Sequence, residues 1–255
     1  MFPRKESYGQ YSLFLQREVT FDVYQPANTR DTPHLLLLND GQDLDGMGFP
    51  SMLEHLHNTS HPSLWVVAIH AGPQRLQEYG TARHMDYQGR GCKAGLYTRF
   101  ILRELLPFLE SRYHRQFPDK TFAGFSMGGL SALDIVWNHP KEFHKAGVFS
   151  GSLWWRSAND VPQQRRIMHR QVKEGRFHPD LRFFFEAGTE DEKEDRNVNG
   201  VIDAVDDTEE LMELLEEKGY EKGKHIHYTL VKGGRHDVAT WAGVMPEFLD
   251  WVVKA

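Results

Sequence analysis

Between the β-prone run Lys120 to Ala123 and the apolar run Leu130 to Trp137 stands the hexapeptide Gly124-Phe125-Ser126-Met127-Gly128-Gly129. In that context a GxSxG pattern reads as a nucleophile elbow, a sharp strand-to-helix turn that lifts a serine hydroxyl above the end of a sheet. Neighbouring Cβ atoms would collide in such a turn, which is why glycine flanks the serine. A chain built around this turn needs a strand entering it, a helix leaving it and a sheet beneath. Without those flanking runs the same letters describe an ordinary glycine-rich turn.

An α/β sheet carrying such a serine places a carboxylate and then a histidine after it in chain order. The strand-like run Arg182 to Ala187 ends in Gly188-Thr189-Glu190-Asp191, which puts an acidic loop past the end of a buried strand. The alternating run Ile226 to Val231 leads into Gly233-Gly234-Arg235-His236-Asp237. Ser126 is therefore the expected nucleophile, His236 the general base and Asp191 the acid that orients the imidazole. The chain holds 14 histidines, so position in the topology singles out His236 where residue type alone does not. Asp191 stands in an acidic run whose other members, Glu190 and Asp195 among them, remain alternatives.

Acyl transfer also needs backbone N–H donors aimed at the developing oxyanion. Met127, directly after the serine, supplies one. The second is expected in the turn Asn39-Asp40-Gly41-Gln42-Asp43 that follows the apolar strand His34 to Leu38, with Gln42 as donor and Gly41 letting the backbone approach the substrate.

With these residues placed, the chain resembles the esterase D, or enterochelin-esterase-like, group of α/β-hydrolases over nearly its whole length. The resemblance rests on Leu38 to Gln42, Arg75 with Glu78-Tyr79, Tyr97, Phe100-Ile101, Glu104 to Pro107, the elbow, Ser150 to Trp155, Gly234 to Asp237 and Trp241. It implies an α/β-hydrolase fold, carboxylic-ester chemistry on a small-molecule substrate and no catalytic cofactor. It also implies that Trp154 and Trp155 lie beside the site and bind substrate, and that Arg75, Glu78, Tyr79 and Arg83 belong to a substrate-side loop. Siderophore hydrolysis, thioester hydrolysis of the S-formylglutathione type and acyl transfer to another hydroxyl are alternatives within this fold. A non-catalytic, calcium-gated binding module is the alternative of another class.

A second pattern is independent of the triad. Asp195, Asn197, Asn199, Val201, Asp203 and Asp206 occupy the first, third, fifth, seventh, ninth and twelfth places of a calcium loop, with Gly200 sixth. Asp206 stands where a bidentate glutamate is usual. A credible helix, Glu209 to Lys218, leaves the loop, but a strand precedes it, so the expectation is a lone structural calcium loop inserted at 195–206.

The chain has 255 residues, 40% of them hydrophobic, enough for one core, and no linker-like stretch divides it; a single α/β-hydrolase domain over 1–255 is expected. Met1 to Ser7 lacks the apolar core of a signal peptide and the lone Cys92 forms no internal disulfide, which favours a cytoplasmic location while leaving a secreted mature form open. A formal charge of −6 without a basic cluster argues against nucleic-acid and membrane-surface partners. Oligomeric state is not legible. The remaining runs predict strands at Tyr11 to Leu15, Val19 to Gln25, Leu35 to Leu38, Trp65 to His70 and Ala146 to Ser150. Helices are expected at Leu96 to Arg112, where Pro107 should disturb the regularity, and at Val244 to Val253.

Overall fold

A computed structural model describes residues 4–26, 32–58, 63–158 and 166–254. The strands are β1 (Arg4–Ser12), β2 (Arg17–Gln25), β3 (His34–Asn39), β4 (Leu64–Ile69), β5 (Asp119–Phe125), β6 (Lys145–Phe149), β7 (Arg182–Glu190) and β8 (Ile226–Arg235). The helices are α1 (Phe49–Asn58), α2 (Arg75–Glu78), α3 (Ala94–Phe100), α4 (Leu106–Tyr113), α5 (Met127–Asn138), α6 (Ile167–Glu174), α7 (Asp203–Lys218) and α8 (Val238–Lys254).

The described strands form one eight-stranded sheet in the order β1-β2-β4-β3-β5-β6-β7-β8. Pairing is antiparallel for β1–β2 and β2–β4 and parallel from β4 through β8. This is the α/β-hydrolase architecture expected from the elbow. Strand alternation divides the core between the faces: Leu35 and Leu37 join the layer under α3 to α7, while Leu36 and Leu38 join that under α1 and α8. Both faces are covered, so β3 reads as an unbroken leucine run. The strand order reverses between β3 and β5, and such a switch point opens a crevice beyond the strands' carboxyl ends. The turn after β3 and the elbow after β5 meet there.

Several elements extend beyond their sequence expectations. The first hairpin begins at Arg4 and turns at Gln16, whose φ of 54° lies in the left-handed region. Asp237 caps α8, accepting the Thr240 N–H at 2.9 Å, so that helix starts at Val238 rather than Val244. The expected helix around Pro107 is continuous from α3 to α4 but passes through a π turn at Ile101–Leu105. That turn absorbs the missing N–H of Pro107 and the clash of its ring with the preceding turn. Helices α1 and α6 have no counterpart in the sequence expectations, and α2 forms where a loop is expected. Among the described residues, no helix is long and apolar enough to cross a membrane.

Candidate active site

Ser126 joins β5 to α5 with φ 54° and ψ −122°, a strained conformation for a residue bearing a side chain. Its N–H is held by the Phe149 carbonyl at 2.8 Å, and its own carbonyl accepts the Ser152 N–H at 3.2 Å. The elbow tolerates no added methyl: a Cβ on Gly124 would lie 2.6 Å from the Gly128 backbone, and one on Gly128 would lie 2.6 Å from Asp40 Oδ2. Ser126 Oγ is half-buried and 3.3 Å from Ser152 Oγ.

His236 follows β8 and is exposed to solvent. Its ring meets the Trp241 indole edge-on at 5.3 Å, and that indole stacks on Phe125 at 4.9 Å, so an aromatic ladder ties the histidine loop to the residue preceding the serine. Asp191 lies within electrostatic reach of the imidazole. Partial burial, aided by the Arg75 charge, holds His236 below its ordinary pKa, while the negative charges of Asp191 and Asp237 oppose the shift. Asp191 itself is pushed up by burial against the N–H of Gly188, which its Oδ2 accepts at 3.2 Å. Asp191 Oδ1 is buried with no partner. Among the described hydrogen bonds, none joins His236 to Ser126 or to Asp191. Sequence order thus brings the three side chains to one end of the sheet with the imidazole contacts still open. The competing acids stand apart: Glu190 is exposed and pairs with Arg235 at 3.2 Å, and Asp195 accepts the N–H groups of Asn199 and Gly200.

The turn after β3 is fastened to the elbow. Asn39 donates to the Gly128 carbonyl at 2.8 Å and accepts the Tyr97 hydroxyl at 2.5 Å. Asp40, at φ 60°, takes a bidentate pair from Arg75 at 2.7 and 2.8 Å. Gln42 lies in a short 3-10 turn, Gly41–Asp43, and Met127 opens α5, so both backbone N–H groups sit where a helix leaves its first donors unpaired. The Gln42 side chain is occupied elsewhere, accepting the Ala71 N–H at 2.9 Å. Gly41 has a packing reason of its own: a Cβ there would lie 2.5 Å from the Ala68 backbone of β4.

The tryptophan pair divides. Trp155, expected to bind substrate, is fully buried in the core, where its indole N–H reaches the His84 carbonyl at 3.3 Å. Gly80 and Gly91 close over the ring, since a Cβ on either would come within 2.8 Å of it. Trp154 is half-buried and stacks with the Arg90 guanidinium at 4.8 Å. Of the other loop residues, Glu78 is buried in a pair with Arg17, Tyr79 is buried, and Arg75 lies beside the elbow.

Sequence reasoning missed Glu186 and gave Ser150 no role of its own. Ser150, at φ 44°, receives the Trp241 indole N–H on its hydroxyl at 2.9 Å. Its N–H and hydroxyl donate to Glu186 Oε2 at 3.1 and 3.3 Å. A lone acid within Phe183-Phe184-Phe185-Glu186-Ala187 was the available signal.

In the 195–206 loop, Asn197 and Asn199 donate side-chain N–H groups to Asp206 at 2.7 and 3.1 Å, and Val198 and Gly200 take positive φ. Asp203 is engaged by Arg196. Helix α7 begins at Asp203, inside the loop pattern rather than after it. Among the described residues, no group of three or more His, Cys, Asp or Glu side chains could hold a metal ion.

This sheet, with a serine elbow at its switch point, is the architecture of the esterase-type α/β-hydrolases. The chain belongs to the family described as Putative esterase, whose model matches residues 12–252. It is 24% identical over 200 residues to the uncharacterized protein YbbA of Bacillus subtilis (strain 168), covering 75% of this chain and 74% of that one. Its fold is similar to that of the enterobactin esterase FES of Shigella flexneri, with a TM-score of 0.75 and 21% identity. That match covers 97% of this chain and 59% of the other, so the chain spans under two thirds of the larger protein. An IroE-like serine hydrolase of Shewanella oneidensis superposes with a TM-score of 0.71 at 20% identity, covering 95% of this chain and 78% of that one.

Proposed function

We propose that this protein is a single-domain serine esterase that cleaves a carboxylic ester through an acyl-enzyme on Ser126. The observation carrying the reading is the strained Ser126 backbone at the switch point, with His236 and Asp191 delivered to the same end of the sheet from the two loops that follow. His236 takes the proton of Ser126 Oγ as it attacks the ester carbonyl and returns it to the departing alcohol. The open Asp191 Oδ1 accepts the other imidazole N–H and stabilises the cation. The N–H groups of Met127 and Gln42 receive the oxyanion. Water then attacks the acyl-enzyme, with His236 again as base, and releases the acid and Ser126.

Siderophore-type esters lead the candidate substrates, because the fold is similar to that of an enterobactin esterase and because Trp154, stacked on an Arg90 paired with Asp86, offers an aromatic surface. The test is turnover of short acyl p-nitrophenyl esters, a thioester and a catechol-bearing serine ester. Turnover of any of them by the wild type and not by Ser126→Ala supports the reading; equal turnover by both refutes it.

The 195–206 loop belongs to the same reading as a structural calcium loop. Asp195, Asn197, Asn199 and Asp206 supply side-chain oxygens once the two amides rotate, and Val201 supplies its carbonyl. Asp203, at the ninth position, is held by Arg196. The loop begins just past Asp191, so an ion there would order the chain that carries the acid. EDTA is expected to lower the melting temperature and added calcium to restore it; an unchanged melting temperature removes calcium from the account.

A further inference from the structure

Glu186 is a buried carboxyl one step inside the site. It is 1% exposed on β7, and its only hydrogen-bond donors among the described residues are the N–H and hydroxyl of Ser150, both on Oε2. Its Oε1 is buried without a partner. Strand alternation puts Gly188 on the same face as Glu186. A Cβ on Gly188 would lie 2.6 Å from Asp191 Oδ1, so the Asp191 carboxyl folds back onto that face of β7, one strand repeat from Glu186. This Oδ1 is the other orphaned oxygen of the site. Ser150, oriented by the Trp241 indole, acts on both acids; its hydrogen bonds favour the ionised forms but are outweighed at each by burial, which pushes both pKa values up.

We propose that Glu186 and Asp191 form a carboxyl pair that retains one proton, Glu186 holding it as a neutral acid and thereby positioning an ionised Asp191 for His236. Two unpaired carboxylates on one buried strand face would repel each other, and a proton on Glu186 removes that repulsion. Burial, with the Asp191 charge added to it, pushes the Glu186 pKa up to about 8. The groups surrounding the pair are few. Tyr228 on β8 feels both charges, His236 and Asp237 beyond β8 act on Asp191, and α8 presents the Trp241 N–H to Ser150. None is a cation placed to hold Glu186 ionised. Glu186 is thus a positioning residue acting through Asp191. Its consequence for His236 rests on the esterase reading; the shared proton does not.

The test follows the proton directly. In full-length protein labelled with carboxyl-13C glutamate, one glutamate resonance is expected to titrate near pH 8, to vanish in Glu186→Gln and to move to lower pH in Asp191→Asn. Titration of every glutamate in the ordinary carboxylate range, or a midpoint indifferent to Asp191→Asn, overturns the proposal. The kinetic arm separates positioning from mere packing. Glu186→Gln carries no titrating carboxyl, so a fall in kcat above pH 8, expected of the wild type as Glu186 ionises, should be absent from the variant's pH profile. A loss at pH 7 as large as that of Asp191→Asn would make Glu186 the carboxylate partner of the imidazole and refute the assignment. An absence of ester turnover in wild type alongside the expected resonance would sink the esterase reading and leave the carboxyl pair standing.

Discussion

Ser126 carries the backbone strain of the site, and the surroundings that hold it there also set what its neighbours do. Under the proposed mechanism Ser126 and His236 act as one unit. Ser126→Ala and His236→Ala should each lower kcat/KM by roughly 10³-fold or more, and the double variant should be little worse than either. Kinetics of the three variants check this; multiplicative losses would show that the residues act independently. The pH dependence has a definite sign. Catalysis needs neutral His236, and a pKa lowered from 6.5 keeps the ring neutral to more acidic pH. The acid limb of kcat/KM should therefore lie below the ordinary imidazole value. Asp191→Asn should move it lower still, because the Asp191 charge opposes the shift. A limb at or above 6.5 in the wild type would contradict the lowered imidazole pKa.

At the scale of elements, the loops after β5, β7 and β8 were legible because each joins an apolar run to residues whose chemistry is specific. Ser126, Asp191 and His236 all lie in such loops. What the sequence hid depends on partners distant in the chain. Trp155 reads as a ligand-binding aromatic until Gly80 and Gly91 are seen to close over it. Glu186 reads as one strand residue among phenylalanines until Ser150 arrives from β6. The π turn before Pro107 shows the opposite case, a foreseen irregularity whose form depended on keeping α3 and α4 in one continuous helix. Trp155→Ala should cost about 3–5 kcal/mol of stability through the cavity it leaves, as measured by denaturant unfolding. A loss below about 1 kcal/mol, with altered substrate preference, would return Trp155 to the substrate site.

For the whole molecule, the sheet order does what no single motif does. The reversal between β3 and β5 sets the Asn39 to Asp43 turn against the first turn of α5, where Asp40 and Arg75 lock together beside the serine. The alternation of strands and helices made the parallel sheet readable from sequence, whereas the pairing of Asp40 with Arg75 was not, since nothing local links residues so far apart. In the proposed mechanism this architecture activates Ser126. Intact-mass analysis after brief treatment with a fluorophosphonate, with peptide mapping and Ser126→Ala as control, tests it most directly. One rapid adduct per chain is expected, located on Ser126 and absent from the variant; a folded wild-type protein that takes up no label, with or without calcium, would contradict activation of Ser126.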